Sequence, residues 1–272
     1  MNSQLFNIFH NIFLFDIVNE YCNLMNFCNS CNTLLYLKIR CIYNVNEKYS
    51  SNYILNTEFR EKLSNKILNT QKQLFLNLQN TSILSNVISL SNIHTLNLSY
   101  CNSITNVELL SNIHTLNLGY CYNLINVSSL SNIDTLILNG CKNLENIKNI
   151  TNVKNAYITR CKKITDISDL KNVHTLCLRH CIGIKEVNCL KNVHTLSLSE
   201  CKYITDVSML GNVYDLDLSD CYNITDVSML GGVYRLNLSC CNGINDISML
   251  DNVYDLDLSG CDGIRYVNEL LE

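Results

Sequence analysis

The 272-residue chain contains no proline, no tryptophan and a single alanine, Ala156. Asn, Ile, Leu, Lys and Tyr fill the gap, the mark of coding in an AT-rich genome such as that of a protist, a slime mould or a large DNA virus. Nowhere do about 18 apolar residues run together, so no membrane span is expected. The first residues lack a basic leader and a small-residue cleavage site, so no secretory signal is expected either. The Asn-x-Ser/Thr sequons at Asn97, Asn126, Asn149 and Asn223 are then chance products of an Asn-rich sequence. A net charge of −4 provides no global argument for nucleic acid or membrane. There is no Gly-rich phosphate loop, no Ser-His-Asp spacing and no carboxylate pair in a plausible cleft, so the chain does not read as an enzyme.

What the chain does have is a period. A cysteine recurs every twenty residues, at Cys101, Cys121, Cys141, Cys161, Cys181, Cys201, Cys221, Cys241 and Cys261. Around it Ile93, Leu96, Leu98, Ile104, Val107 and Leu110 set apolar positions that return in each copy. A fixed period of this length means a solenoid, in which each turn buries its apolar face on the next. The segment Thr-Leu-Asn-Leu-Ser alternates and predicts a short strand, with Leu96 and Leu98 inward and Thr95, Asn97 and Ser99 outward. Elsewhere in the turn apolar residues come every third place. That spacing is wrong for an α-helix and suits 3₁₀ turns or extended arcs. Ten stacked strands at ~4.8 Å would make one parallel sheet roughly 45 Å long. At that spacing, with side chains parallel, the ladder cysteines read as buried reduced thiols rather than disulfides. Each thiol can donate weakly to a backbone carbonyl.

The pattern L-x-x-L-x-L-x-x-C-x-x-I-x-x-V-x-x-L resembles the leucine-rich repeat in its cysteine-containing form, over residues 74–270. That resemblance implies an α/β repeat solenoid: a horseshoe with one parallel β-sheet, little outer α-helix and a small helical N-terminal region. The expected division is residues 1–70 and an array of about ten turns over 71–272. The first turn begins at Leu74 and is imperfect, with Thr81 in the cysteine place.

Residues 1–70 lack the period. Helical spacing predicts short helices between about Ile12 and Arg40, a loop from Asn44 to Asn56, and a helix from Glu58 to Leu68 with a Glu58–Lys62 pair. One reading is a cap over the apolar end of the array. The stretch Ile17–Leu34 is also similar to the F-box, in its Ile17-Val18-x-x-Tyr21 opening, its Leu24-x-x-Phe27 middle and its Cys31-x-x-Leu34 close. It lacks the usual Leu-Pro start. The resemblance implies that Ile17, Val18, Tyr21, Leu24 and Phe27 dock on the adaptor of a ubiquitin ligase. Cys22, Cys28, Cys31 and Cys41 hold only one close pair, which suits core thiols better than zinc.

Function in a solenoid sits on outward strand positions. One lane reads His94, His114, Asp134, Lys154, His174, His194, Tyr214, Tyr234 and Tyr254. Stacked histidines on a flat sheet close no metal tetrahedron, so these read as residues copied with their repeats. Charge is uneven. Residues 141–200 hold ten Lys and Arg against five Asp and Glu; residues 201–272 hold three against twelve. Candidate partner-binding residues on the concave face are therefore Lys154, Tyr157, Arg160, Arg179 and His180 in the middle. Towards the end they are Tyr214, Asp215, Asp217, Asp220, Arg235, Asp255 and Asp257. Aromatics are sparse in the basic middle, which argues against nucleic acid. Asp166, Asp206, Asp226 and Asp246, in the outer turns, read as local turn formers. The expected function is protein recognition without cofactor or metal, in an intracellular, cytoplasmic setting (host cytoplasm if viral). Two roles fit it: a substrate receptor of a ubiquitin ligase, as the F-box resemblance implies, and an interaction scaffold with a plain helical cap.

Overall fold

The structure is a computed structural model, and it describes residues 43–45, 56–68, 74–81, 90 and 93–264. The proposed F-box positions Ile17 to Phe27, the expected helices before Arg40 and the four N-terminal cysteines lie outside the described residues. The chain forms two compact units. One comprises Met1–Leu78 with Ile93–Asn97, the other Gln79–Asn92 with Leu98–Glu272.

In the first unit, helix α1 spans Thr57–Leu68. Asn56 caps it: its Oδ1 accepts from Phe59 N–H at 3.0 Å, satisfying one of the donors that a helix start leaves free. Glu58 and Lys62 meet at 2.6 Å, one turn apart on the exposed surface. Strands β1 (Tyr43–Val45), β2 (Leu74–Asn77) and β3 (Thr95–Asn97) follow one another in a parallel ladder. Strand β1 takes in the first two residues of the expected loop, since Asn44 and Val45 pair with Phe75 and Leu76; residues 46–55 lie outside the described residues. The Tyr43-Asn44-Val45 triplet straddles the start of that run, and its backbone groups find partners on β2.

The second unit is a parallel β-solenoid. Its strands are β4 (Thr115–Asn117), β5 (Thr135–Ile137), β6 (Asn155–Tyr157), β7 (Thr175–Cys177), β8 (Thr195–Ser197), β9 (Asp215–Asp217), β10 (Arg235–Asn237) and β11 (Asp255–Asp257). Each is paired with the next in a register offset by twenty residues. The period-three pattern is the 3₁₀ bond spacing itself. Cys121 N–H donates to Leu118 C=O and Leu124 N–H to Cys121 C=O; Leu130 N–H then donates to Val127 C=O. Each of these apolar side chains points inward and is fully buried. Short 3₁₀ helices form at Glu108–Leu110, Ser168–Leu170, Asn188–Leu190, Ser208–Leu210 and Ser228–Leu230.

The cysteine ladder supplies the vertical bond. The thiols of Cys121, Cys141, Cys161, Cys181, Cys201, Cys221, Cys241 and Cys261 each donate to the carbonyl 23 residues earlier, at 2.8–3.2 Å. Leu98 C=O therefore accepts twice, from Cys101 N–H of its own turn and from Cys121 Sγ of the next. Both lone pairs of a buried carbonyl are used. Cys121, Cys141, Cys181, Cys201, Cys221 and Cys241 are buried and free, with no disulfide among them.

The last position of each turn, from Tyr100 to Gly260, has positive φ. It lets the chain leave the sheet while its N–H still bonds the next turn, as Tyr100 N–H does to Gly119 C=O. Glycine occupies it only at Gly140 and Gly260.

Candidate functional site

The strand face is where the structure brings the candidate residues together, and it arranges them differently from expectation. Outward-pointing strand residues are largely covered. Thr115, Asn117, Ser197 and Ser199 are buried although they point away from the core. Turns about 4.8 Å apart leave no gap over a short side chain. Long side chains and residues that flank the strands, such as Tyr214 and Asp220, reach solvent.

Asp217 is the clearest correction. It was expected to face a partner, yet it is 7% exposed. Its Oδ1 accepts from Ser219 N–H at 3.0 Å and from Ser219 Oγ at 2.7 Å; its Oδ2 accepts from Ser197 Oγ at 2.9 Å. Asn117, Asn237 and Asp257 make the same bond to the N–H two residues on. At this position Asn or Asp ends the strand by an Asx-type turn. The acidic residues of the outer turns do likewise, with Asp166, Asp206, Asp226 and Asp246 each accepting from the serine N–H two residues later.

Part of the basic middle is compensated within the chain. Lys154 Nζ lies 2.6 Å from Asp134 Oδ1. Burial raises the pKa of Asp134, but the bond from Lys154 and the nearby His114 more than offset it and leave the carboxyl below its usual range. Arg179 donates through Nε and a terminal nitrogen to Glu200 Oε1 at 2.8 and 2.6 Å; His180 Nδ1 lies 2.9 Å from Oε2. Burial opposes the charge on Glu200, yet Arg179 and then His180 hold its pKa below the ordinary value. Lys163 and Lys148 are similarly engaged by Glu145 and Asp166. Tyr157 is half-buried on β6, with its hydroxyl pKa raised by burial and by Cys177. Arg160 alone of the middle set extends into solvent without an ion pair among the described residues.

The acidic end is not compensated in this way. Along β9, β10 and β11, Asp215, Arg235 and Asp255 stand in one row. Arg235 approaches Asp215 at 3.8 Å. Burial raises the pKa of Asp215; Arg235 pulls it back, and Asp217 and Asp255 push it up again. Asp255 has no ion pair among the described residues. Asp220, at a strand end, accepts from Tyr222 Oη at 2.8 Å.

Beside this row stands a feature that the sequence showed only as a lane of copied residues. His174, His194, Tyr214, Tyr234 and Tyr254 form one continuous stack, with ring centroids 4.7–4.8 Å apart and planes within 22° of parallel. Tyr214 is 42% exposed and Tyr254 73%. A second stack, Tyr100 on Tyr120 at 4.6 Å, lies at the other end of the strands. Glu200 was missed altogether. Its signal was an acid one turn from His180, in the same register.

The chain is similar to an internalin (InlF) from Listeria monocytogenes, with 20% identity and a TM-score of 0.52 over 69% of this chain and 59% of that one. The fold is that of the leucine-rich repeat. The chain thus spans 59% of that internalin's length. Also similar are a domain of InlJ from Listeria monocytogenes (16% identity, 70% of this chain, 54% of that one, TM-score 0.33) and the leucine-rich repeat domain of the type III effector XopL (17%, 69% of each, 0.41). No family model matches the chain, and no curated protein does. In the leucine-rich repeats of this chain, the exposed chemistry is thus an aromatic stack flanked by an under-compensated acidic row.

Proposed function

We propose that the protein is a recognition module that binds a basic segment of a protein partner on the strand face of its last turns, β8 to β11. The observation that carries this is the difference between the two charged regions. Lys154, Lys163, Lys148 and Arg179 are already bonded to Asp134, Glu145, Asp166 and Glu200, so these four have little left to offer a partner. At the end, Asp215, Asp255 and Asp257 have a single arginine, Arg235, among them on the same strands. Complementary charge governs encounter and specificity and weakens with salt.

The test is fluorescence anisotropy with a Lys/Arg-rich peptide and an acidic peptide of equal length. The basic peptide should bind more tightly at low salt, and Asp255→Lys should weaken it at least about fivefold. Equal binding of both peptides, or no effect of Asp255→Lys, overturns the reading.

The finer role is substrate receptor of a ubiquitin ligase. Its support is the likeness of Ile17, Val18, Tyr21, Leu24 and Phe27 to an F-box placed before cysteine-type repeats. Purified ligase adaptor should be retained by the full chain and lost when Tyr21 and Phe27 are changed to Asp. Failure of the full chain to retain it leaves the scaffold role.

A further inference from the structure

We propose that the ring stack and the Asp215–Arg235–Asp255 row form a docking strip for a polyproline-II segment carrying a cationic side chain at every third residue. This rests on the recognition reading above and adds the conformation and register of the partner.

The stack itself narrows the ligand. His194, Tyr214 and Tyr234 each have a ring on both faces. A covered face is no platform for a nucleobase or a sugar, which bind aromatic side chains by stacking. What these rings present is edges and, from the tyrosines, a row of hydroxyls at the repeat of the solenoid. Neighbouring carboxylates repel phosphate further. An apolar wall with regularly placed hydrogen-bonding groups suits an extended peptide.

The rings and the charged row adjoin. His194 Nδ1 lies 3.2 Å from Thr195 Oγ1, the residue that occupies the row one turn before Asp215. The electrostatic surroundings of Tyr234 include both Arg235 and Asp255. A partner lying along the rings therefore passes over the row.

The row then selects spacing. Asp215 and Asp255 are two turns apart, and each turn advances the ring stack by 4.7 Å, which gives about 9.4 Å. Arg235 stands between them and repels a cation placed one turn from either. A polyproline-II helix rises about 3.1 Å per residue with three residues per turn, so side chains three apart point the same way about 9.3 Å apart. A β-strand repeats a side on every second residue, at about 6.6–6.8 Å. An α-helix turns every 5.4 Å or so. Neither matches the two-turn spacing.

The test uses the full chain and two labelled peptides of identical composition. One is four repeats of Pro-Pro-Arg. Its isomer carries the same four arginines at alternating spacings of two and four. Anisotropy at low salt should show the regular peptide at least about fivefold tighter, an advantage that Asp255→Asn abolishes. Tyr234→Ala, which interrupts the stack, should weaken the regular peptide while circular dichroism melting shows the chain still folded. Equal affinity for the isomers overturns the register while leaving basic-segment recognition intact. Failure of both to bind overturns the two together. Binding unaffected by Tyr234→Ala in a folded variant removes the ring stack from the strip.

Discussion

At the residue scale, the positive-φ position shows a backbone requirement that side chains override. Left-handed backbone costs an ordinary L-residue roughly 1–2 kcal/mol and glycine almost nothing. Yet Tyr, Arg, His, Glu, Asp and Cys all occupy it here, at Tyr120, Arg160, His180, Glu200, Asp220 and Cys240. Several of them use their side chains. Tyr120 stacks on Tyr100, and His180 and Glu200 bond each other. Arg160 has no such bond, so Arg160→Gly should relieve strain and raise stability, by about 0.5–1 kcal/mol after the extra freedom of the unfolded glycine is subtracted. It should also leave binding of the basic peptide unchanged. The opposite case is Gly140, whose φ is +70°. A Cβ there would lie 2.6 Å from the Tyr120 ring. Gly140→Ala should destabilise by about 1–3 kcal/mol, from strain and displacement of the ring. Urea titration of both variants checks the pair; a stabilising Gly140→Ala contradicts it.

At the element scale, strand, 3₁₀ turn and cysteine were legible because each depends on spacing alone. Inward Leu96 and Leu98, the i→i+3 bonds and the thiol donors all follow from a twenty-residue period. The outward positions were less legible. Alternation says that Asp217 points away from the core, but not that the next turn covers it. The available signal was the residue two places on: Asn117 precedes Gly119, Asp217 precedes Ser219, Asn237 precedes Ser239 and Asp257 precedes Ser259. Asx residues there serve the strand end. Asparagine keeps the oxygen that accepts from Ser219 N–H, whereas alanine leaves that donor and Ser197 Oγ without their partner. Asp217→Ala should therefore cost about 1–3 kcal/mol, and Asp217→Asn clearly less. Equal losses in thermal unfolding would show that the carboxylate charge, not the turn bond, is what matters. The ring stack was legible only as a lane of copied residues, since ring parallelism along a lane becomes visible only once the turns are superposed.

At the scale of the whole molecule, the thiol ladder joins the turns into one titrating system. Burial is the first cause that raises the pKa of Cys121, Cys181, Cys201, Cys221 and Cys241, and neighbouring thiols add to it; Cys201 and Cys241 are pushed up to about 12. A thiol released by unfolding returns to its ordinary value, 9.0. Above that pH the unfolded chain has lost protons that the folded chain still holds. Raised folded values therefore contribute stability that is complete below about pH 9 and is lost as pH climbs toward the folded values. Each thiol held protonated steepens the loss by about 1.4 kcal/mol per pH unit. Stability should therefore fall as the pH rises above about 9. Below that pH, Cys121 and Cys201 should resist alkylation until denaturant is added. Cys201→Ala removes one titrating site, so the urea midpoint should fall less steeply with pH than in the parent, even though the variant starts lower. A midpoint that stays level from about pH 8 to about pH 10.5, or native labelling of Cys121 and Cys201 as fast as in urea, would show that the ladder is not sealed from solvent.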